Sequence, residues 1–228
     1  MKKIFFFLIL TFALRAETVV ITIHGYMRSH KSMHKLARAL DLTVYHFDYP
    51  SRTKTINENA LTLAKFIDDV DAKHPGCEMH FVTHSLGGIL LRKVSHRLPA
   101  SAKKAILLAP PNQGSQLGKI LSPLLKIFGR GAGRELARRD FSDIGEFPST
   151  LQVTVIAGTF GFNPLIGFPN DGKVAVHETL LKTPHKFFKI RACHSMIMRN
   201  SQVITIISEV LHAQGSNRAN SILGNATG

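Results

Sequence analysis

The chain of 228 residues contains no tryptophan, three tyrosines, two cysteines and only 15 acidic residues. Each shortage excludes something. With no Trp and no interleaving of aromatic and basic side chains, the chain offers no stacking platform for nucleic acid. No internal repeat is present, so a solenoid is excluded. Only one long apolar run occurs, Ile4 to Leu14, and it is too short for an ordinary spanning helix. The scarcity of acids against 29 Lys and Arg leaves a formal charge of +14. Such a charge speeds encounters with anionic partners, lipid surfaces and acidic polymers included.

The first sixteen residues read as a secretory signal peptide. Lys2 and Lys3 form a basic leader, the apolar run follows, and Ala16 places a small residue before Glu17. Leu14 is a poor fit three residues before that cut, so retention as an N-terminal membrane anchor is the alternative. No cysteine follows the run to carry a lipid there. The expectation is export, to the periplasm or beyond. Residues 1–16 hold Lys2, Lys3 and Arg15 without an acid, leaving +11 of the +14 on the remainder.

With 44% hydrophobic residues the remainder suits one globular domain. Strand-like runs occur at Thr18 to Ile23, Thr43 to Phe47, Met79 to Val82, Lys104 to Ala109, Leu151 to Ala157 and Phe187 to Ala192. Several are continuously apolar and β-branched, as strands buried on both faces are. Helices are predicted between them at Ser32 to Leu40, Ile56 to Ala72, Leu86 to Arg97, Val176 to Lys182 and Ser201 to Ala213. In the second, Leu61, Ala64, Phe66, Ile67 and Val70 form the apolar stripe. The alternation implies an α/β fold, a mostly parallel six-stranded sheet with helices on both faces, spanning 17–213. In such a sheet Cys77 and Cys193 sit at opposite strand ends, about 16 Å apart, against a bridging limit of roughly 7 Å between Cα atoms. Two free thiols are expected.

The connection from Ala109 to Leu151 is too long for a plain loop. Its apolar pairs (Ile120-Leu121, Leu124-Leu125, Ile127-Phe128) and its cations, Arg138 and Arg139 among them, predict an inserted cap over about 115–150. The tail 214–228 is rich in Gly, Ser and Asn and reads as flexible.

Thr83-His84-Ser85-Leu86-Gly87-Gly88 stands between a predicted strand and a predicted helix. A serine in that place, with small residues around it, is the pattern of a nucleophile elbow, although Thr83 replaces the usual first glycine. Reactive residues of a parallel sheet gather beyond the carboxyl ends of its strands. Ser85 follows the third, Asp171 comes after the fifth, and His194 follows the sixth. A serine hydroxyl needs a base, an imidazole suits that task, and a carboxylate orients the imidazole. The oxyanion needs backbone donors, for which Leu86 N–H and Tyr26 N–H are best placed. Asp171 is the only acid between Glu146 and Glu178, and Asp140 and Asp143 are the alternatives. For the base, His177, His185 and His212 compete with His194. His84 is expected to pack away from Ser85, and His24 to order its loop.

Ile23-His24-Gly25-Tyr26, Tyr49-Pro50-Ser51-Arg52, the Ser85 elbow, Ala109 to Ser115, Asn170 to Val174 and His194-Ser195 together resemble the α/β-hydrolases, most closely the small bacterial lipases and esterases. The resemblance implies Ser85, Asp171 and His194 as a triad, Tyr26 and Leu86 as oxyanion donors, and residues after Ser115 as a lid. It implies no cofactor and no metal. The expected activity is carboxylic-ester hydrolysis of lipid-like acyl esters through a Ser85 acyl-enzyme. Acyl transfer or thioester hydrolysis on the same triad is the near alternative. A non-catalytic cationic surface-binding protein on the same fold is the distant one. The cap's cations are read as a dock for an anionic membrane surface.

Overall fold

The computed structural model describes residues 17–121, 123, 131–136, 141 and 144–213. The leader, the tail and much of the predicted cap, including Arg138, Arg139, Asp140 and Asp143, lie outside the described residues. Six strands form one sheet in the order β2-β1-β3-β4-β5-β6, every neighbouring pair parallel. They are β1 (Thr18–Ile23), β2 (Thr43–Phe47), β3 (Glu78–His84), β4 (Ala102–Leu108), β5 (Gln152–Gly158) and β6 (Lys186–Ile190). The helices between them are α1 (His34–Ala39), α2 (Ile56–Lys73), α3 (Leu86–Val94), α4 (Gln116–Ile120), α5 (Ala132–Glu135) and α6 (Ser201–His212).

Alternation along each strand divides the core into two layers. Val19, Ile21, Ile23, Met79 and Phe81 face α2 and α3, and the cap residues Ala132, Phe141, Ile144 and Phe147 join that layer. Val20, Val82, Ile106 and Ile156 face α1 and α6. The helices therefore cover both faces. On α2 the buried stripe is Ile56, Ala60, Leu63, Ala64, Ile67 and Val70. Ala64, Ile67 and Val70 of the predicted stripe are buried, whereas Leu61 points to solvent, Phe66 is half-buried and Leu63 takes the buried place. The helix starts with a capping box, in which Thr55 Oγ1 accepts from Glu58 N (3.2 Å) and Glu58 Oε2 accepts from Thr55 N (2.8 Å).

The helix predicted over Val176 to Lys182 is a single 3₁₀ turn, Val176–Thr179. The loop after β4 takes the carbonyls that a longer helix would use. Asn112 Nδ2 donates to Thr179 O (2.8 Å) and Gln113 Nε2 to Leu180 O (2.9 Å). Both cysteines are free thiols, Cys77 buried before β3 and Cys193 half-buried after β6. No helix among the described residues is long and apolar enough to cross a membrane.

Two buried cations tie the layers together. Lys104 Nζ donates to the carbonyls of Val210, Leu211 and Ala213 (2.7–3.0 Å), capping the end of α6 from β4. Arg92 of α3 clamps both ends of the cap. Its Nε donates to Gly145 O (2.6 Å), its Nη1 to Asn112 O (3.0 Å) and its Nη2 to Phe141 O (2.8 Å). Arg92→Met takes the side-chain donor from Gly145 O and Asn112 O and leaves Phe141 O with Ile144 N–H, and is expected to cost about 3 kcal/mol. The urea midpoint reads it. Arg92→Lys should recover only part, because one ammonium cannot span three carbonyls.

His80 lies buried on β3, and burial, helped by the charge of Lys104, lowers its pKa to about 4. Glu78 Oε2, 3.8 Å from its Nε2, opposes the shift. The folded-state value lies below the unfolded value of about 6.5, so below pH 6.5 the unfolded chain takes up a proton that the folded chain refuses. Stability from this site is therefore full above about pH 7 and is lost as pH falls toward 4. The loss is on the order of 3 kcal/mol at 1.36 kcal/mol per pH unit. Denaturant curves of wild type and His80→Leu across pH 4–7.5 should differ by that slope.

Candidate active site

Ser85 is the hinge between β3 and α3. Its backbone stands at φ 51°, ψ −119°, outside the comfortable range of an L residue, and Leu108 O holds its N–H at 2.8 Å. The small neighbours have measurable reasons. A Cβ on Gly87 would lie 2.6 Å from Ile23 O and 2.8 Å from His24 O, so only glycine lets α3 approach β1 this closely. Gly88 leaves space for Thr83, whose Oγ1 would stand 3.2 Å from a Cβ there. That is how the elbow accommodates threonine in the glycine position.

The three strand-end residues come together. His194 Nδ1–H donates to Asp171 Oδ2 (2.7 Å), and Ser85 Oγ–H donates to His194 Nε2 (3.1 Å). A second link, His194 N–H to Asp171 O (2.9 Å), fixes the two loops to each other. Asp171 is buried, and its other oxygen accepts from Lys173 N (3.0 Å) and Val174 N (2.8 Å). These contacts hold the carboxylate in one orientation and assign the Nδ1–H tautomer to His194, leaving Nε2 as the acceptor.

The competing histidines lie elsewhere. His177 sits in the 3₁₀ turn, exposed and against Gly167. His185 Nδ1 bonds Thr183 O ahead of β6, and His212 Nδ1 bonds Ser208 O in α6. His24 orders its loop: Nδ1–H donates to Gly25 O (2.9 Å), and the Tyr49 hydroxyl donates to His24 O (2.8 Å).

His84 is not turned away from the site. It packs 4.9 Å from the His194 ring, centroid to centroid, and its Nε2–H donates to His194 O (3.0 Å). Burial, then the neighbouring His194, pushes its pKa well below the ordinary value, so it is a neutral donor. Contacts formed across the fold place it there, and no local pattern signals them.

Tyr26 N–H and Leu86 N–H, on the loop after β1 and at the first residue of α3, have no acceptor among the described residues. The Tyr26 hydroxyl packs against Gly133 of α5, where no side chain could fit. Above Ser85 lies a cleft of about 240 Å³. Pro111, Leu117, Leu121, Leu136 and Val174 give it apolar walls, and Arg28 and Lys173 stand at its rim. Each of these cations is two residues beyond a predicted site residue, Tyr26 or Asp171, and sequence reasoning passed over both. Among the described residues no group of three His, Cys, Asp or Glu is arranged to hold a metal ion.

Several solved structures share this architecture. A mature Bacillus licheniformis lipase, BlEst2, superposes with a TM-score of 0.69 at 17% identity, over 86% of this chain and 92% of that one. The phospholipase PlaB from Legionella pneumophila gives 0.69 at 18% identity, over 87% of this chain but 60% of that protein. A metagenomic carboxyl esterase gives 0.62 at 15% identity, over 86% and 71%. Identities this low speak for the fold alone. No curated protein matches the chain in sequence. The sequence model of the alpha/beta hydrolase family matches residues 20–186, most of the chain, and the chain belongs to that family.

Proposed function

We propose that the protein is a serine carboxylic-ester hydrolase that cleaves lipid-like acyl esters. The observation that carries this reading is the continuous hydrogen-bonded line Ser85–His194–Asp171 at the floor of an apolar cleft. His194 Nε2 takes the Ser85 proton as Oγ attacks the ester carbonyl, and Asp171 stabilises the imidazolium. The oxyanion binds at the Leu86 and Tyr26 N–H groups. Collapse returns the proton from His194 to the leaving alcohol, and the acyl group stays on Ser85. Water, activated by His194 in turn, releases the acid; a second alcohol in its place would make the same site an acyltransferase. The leucines of the cleft suit an acyl chain.

The fold relatives named a lipase, a phospholipase and a carboxyl esterase support hydrolysis of such esters. A non-catalytic binding role gives no reason for an aligned acid, base and hydroxyl. Turnover of p-nitrophenyl esters of increasing acyl length tests the proposal, with a rise in kcat/KM from acetate to medium chains as the expected result. Hydrolysis of none of them by the folded protein would overturn it.

A lipid surface is the proposed setting, reached after export. Between β5 and Asp171, a loop carries Phe160, Phe162, Leu165 and Phe168 outward, with Phe162 91%, Phe168 63% and Leu165 59% exposed. It is held by polar groups, since Asn170 Nδ2 donates to Asn163 O and Gly167 O (both 3.2 Å) and Asn163 Nδ2 to Gly172 O (3.1 Å). The Arg191 guanidinium lies 4.6 Å over the Phe160 ring. Exposed aromatics mixed with cations match the boundary between head groups and acyl chains.

A further inference from the structure

We propose that Arg28 and Lys173 form an anion subsite at the rim of the Ser85 cleft, selecting acyl esters whose alcohol carries a phosphate. The inference rests on the reading of Ser85 as the nucleophile of an ester hydrolase. The two cations come from different loops, Arg28 from the turn after β1 and Lys173 from the turn after Asp171, and both line the same cleft. Neither side chain has a hydrogen bond or an ion pair among the described residues. Among the described residues no carboxylate lines the cleft. Asp171, at the start of the turn that carries Lys173, is buried behind His194 with its oxygens occupied by three N–H donors.

Polarity is therefore segregated. Leu117, Leu121 and Leu136 face the cleft from the cap, and the cations face it from the two loops that carry Tyr26 and Asp171. Both charges are felt beside the nucleophile, since each helps to keep the adjoining His84 neutral. An ester seated on Ser85 with its acyl chain against the leucines points its alcohol toward the remaining, cationic wall. A guanidinium fork and an ammonium from two sides suit a phosphate, which accepts from both. A neutral glyceride would leave both cations without a ligand.

The test compares monolauroylglycerol with lauroyl-lysophosphatidic acid, two esters that differ by one phosphate, each below its micelle concentration. Wild type is expected to prefer the phosphate ester in kcat/KM by at least about tenfold. The preference should shrink about tenfold in Arg28→Gln/Lys173→Gln, and in wild type as salt is raised from 0.05 to 0.5 M. An equal preference in wild type and the double variant would overturn the subsite. Binding of dodecyl phosphate to Ser85→Ala, with and without the two Gln substitutions, decides the subsite without turnover. Tighter binding with the cations present supports it, and equal binding removes it even if ester hydrolysis is intact. Ester turnover that survives Ser85→Ala would instead sink the reading of Ser85 as the nucleophile.

Discussion

Ser85→Ala is expected to lower kcat/KM on p-nitrophenyl esters by about 10⁴-fold or more, with no change in folding. Among the described residues the Ser85 side chain makes one polar contact, with His194 Nε2, so its removal leaves the packing intact. His194→Ala should cost about as much, and the double variant little more, because the two act as one unit. Asp171→Asn should cost about 10⁴-fold in kcat by a different route. Its side chain can present an N–H to His194 Nδ1, which would move the imidazole proton to Nε2 and remove the acceptor that Ser85 needs. Its Oδ1 position also receives Lys173 N and Val174 N, so the amide oxygen is held there and the NH₂ falls on the His194 side. A loss that was large for Ser85 and small for Asp171 would mean that His194 is oriented well enough by its backbone link to Asp171 O.

Much of this site was legible in the chain because its parts are local. Strands buried on both faces appear as unbroken apolar runs, so β1, β3 and β4 were found within two residues. A parallel sheet then sends the ends of β3, β5 and β6 to one edge, and Ser85, Asp171 and His194 meet there. What was missed depends on contacts between segments far apart. Nothing in Val176 to Lys182 says that Asn112 and Gln113 will take its carbonyls. Leu61 is a miss of another kind, since the spacing Ile56, Ala60, Leu63, Ile67, Val70 already puts Leu63 on the buried face of α2 and Leu61 opposite it. Arg92 stands among the apolar residues of α3, a signal that a cation there must find buried acceptors, but not which ones. The cap arginines read as a dock, Arg138 and Arg139, lie outside the described residues, and the exposed apolar residues that are described include a cluster in the loop before Asp171.

That loop gives the second large expected effect. Phe162→Ser/Phe168→Ser should bind vesicles rich in anionic phospholipid about a hundredfold more weakly than wild type. Fully burying one Phe side chain is worth roughly 1.5–3 kcal/mol, and shallow insertion of two realises part of that sum. The folded state should be nearly indifferent, since both rings already face solvent and the loop is held by Asn163 and Asn170. Hydrolysis of a short, soluble ester should stay close to wild type, because neither ring lines the cleft. Vesicle co-sedimentation at two salt concentrations separates the contributions. The cationic share of binding weakens with salt, while the aromatic share does not. Unchanged partitioning of the double variant would remove the loop from the membrane contact, and a parallel loss of soluble-ester turnover would mean that the rings support the Asp171 turn instead.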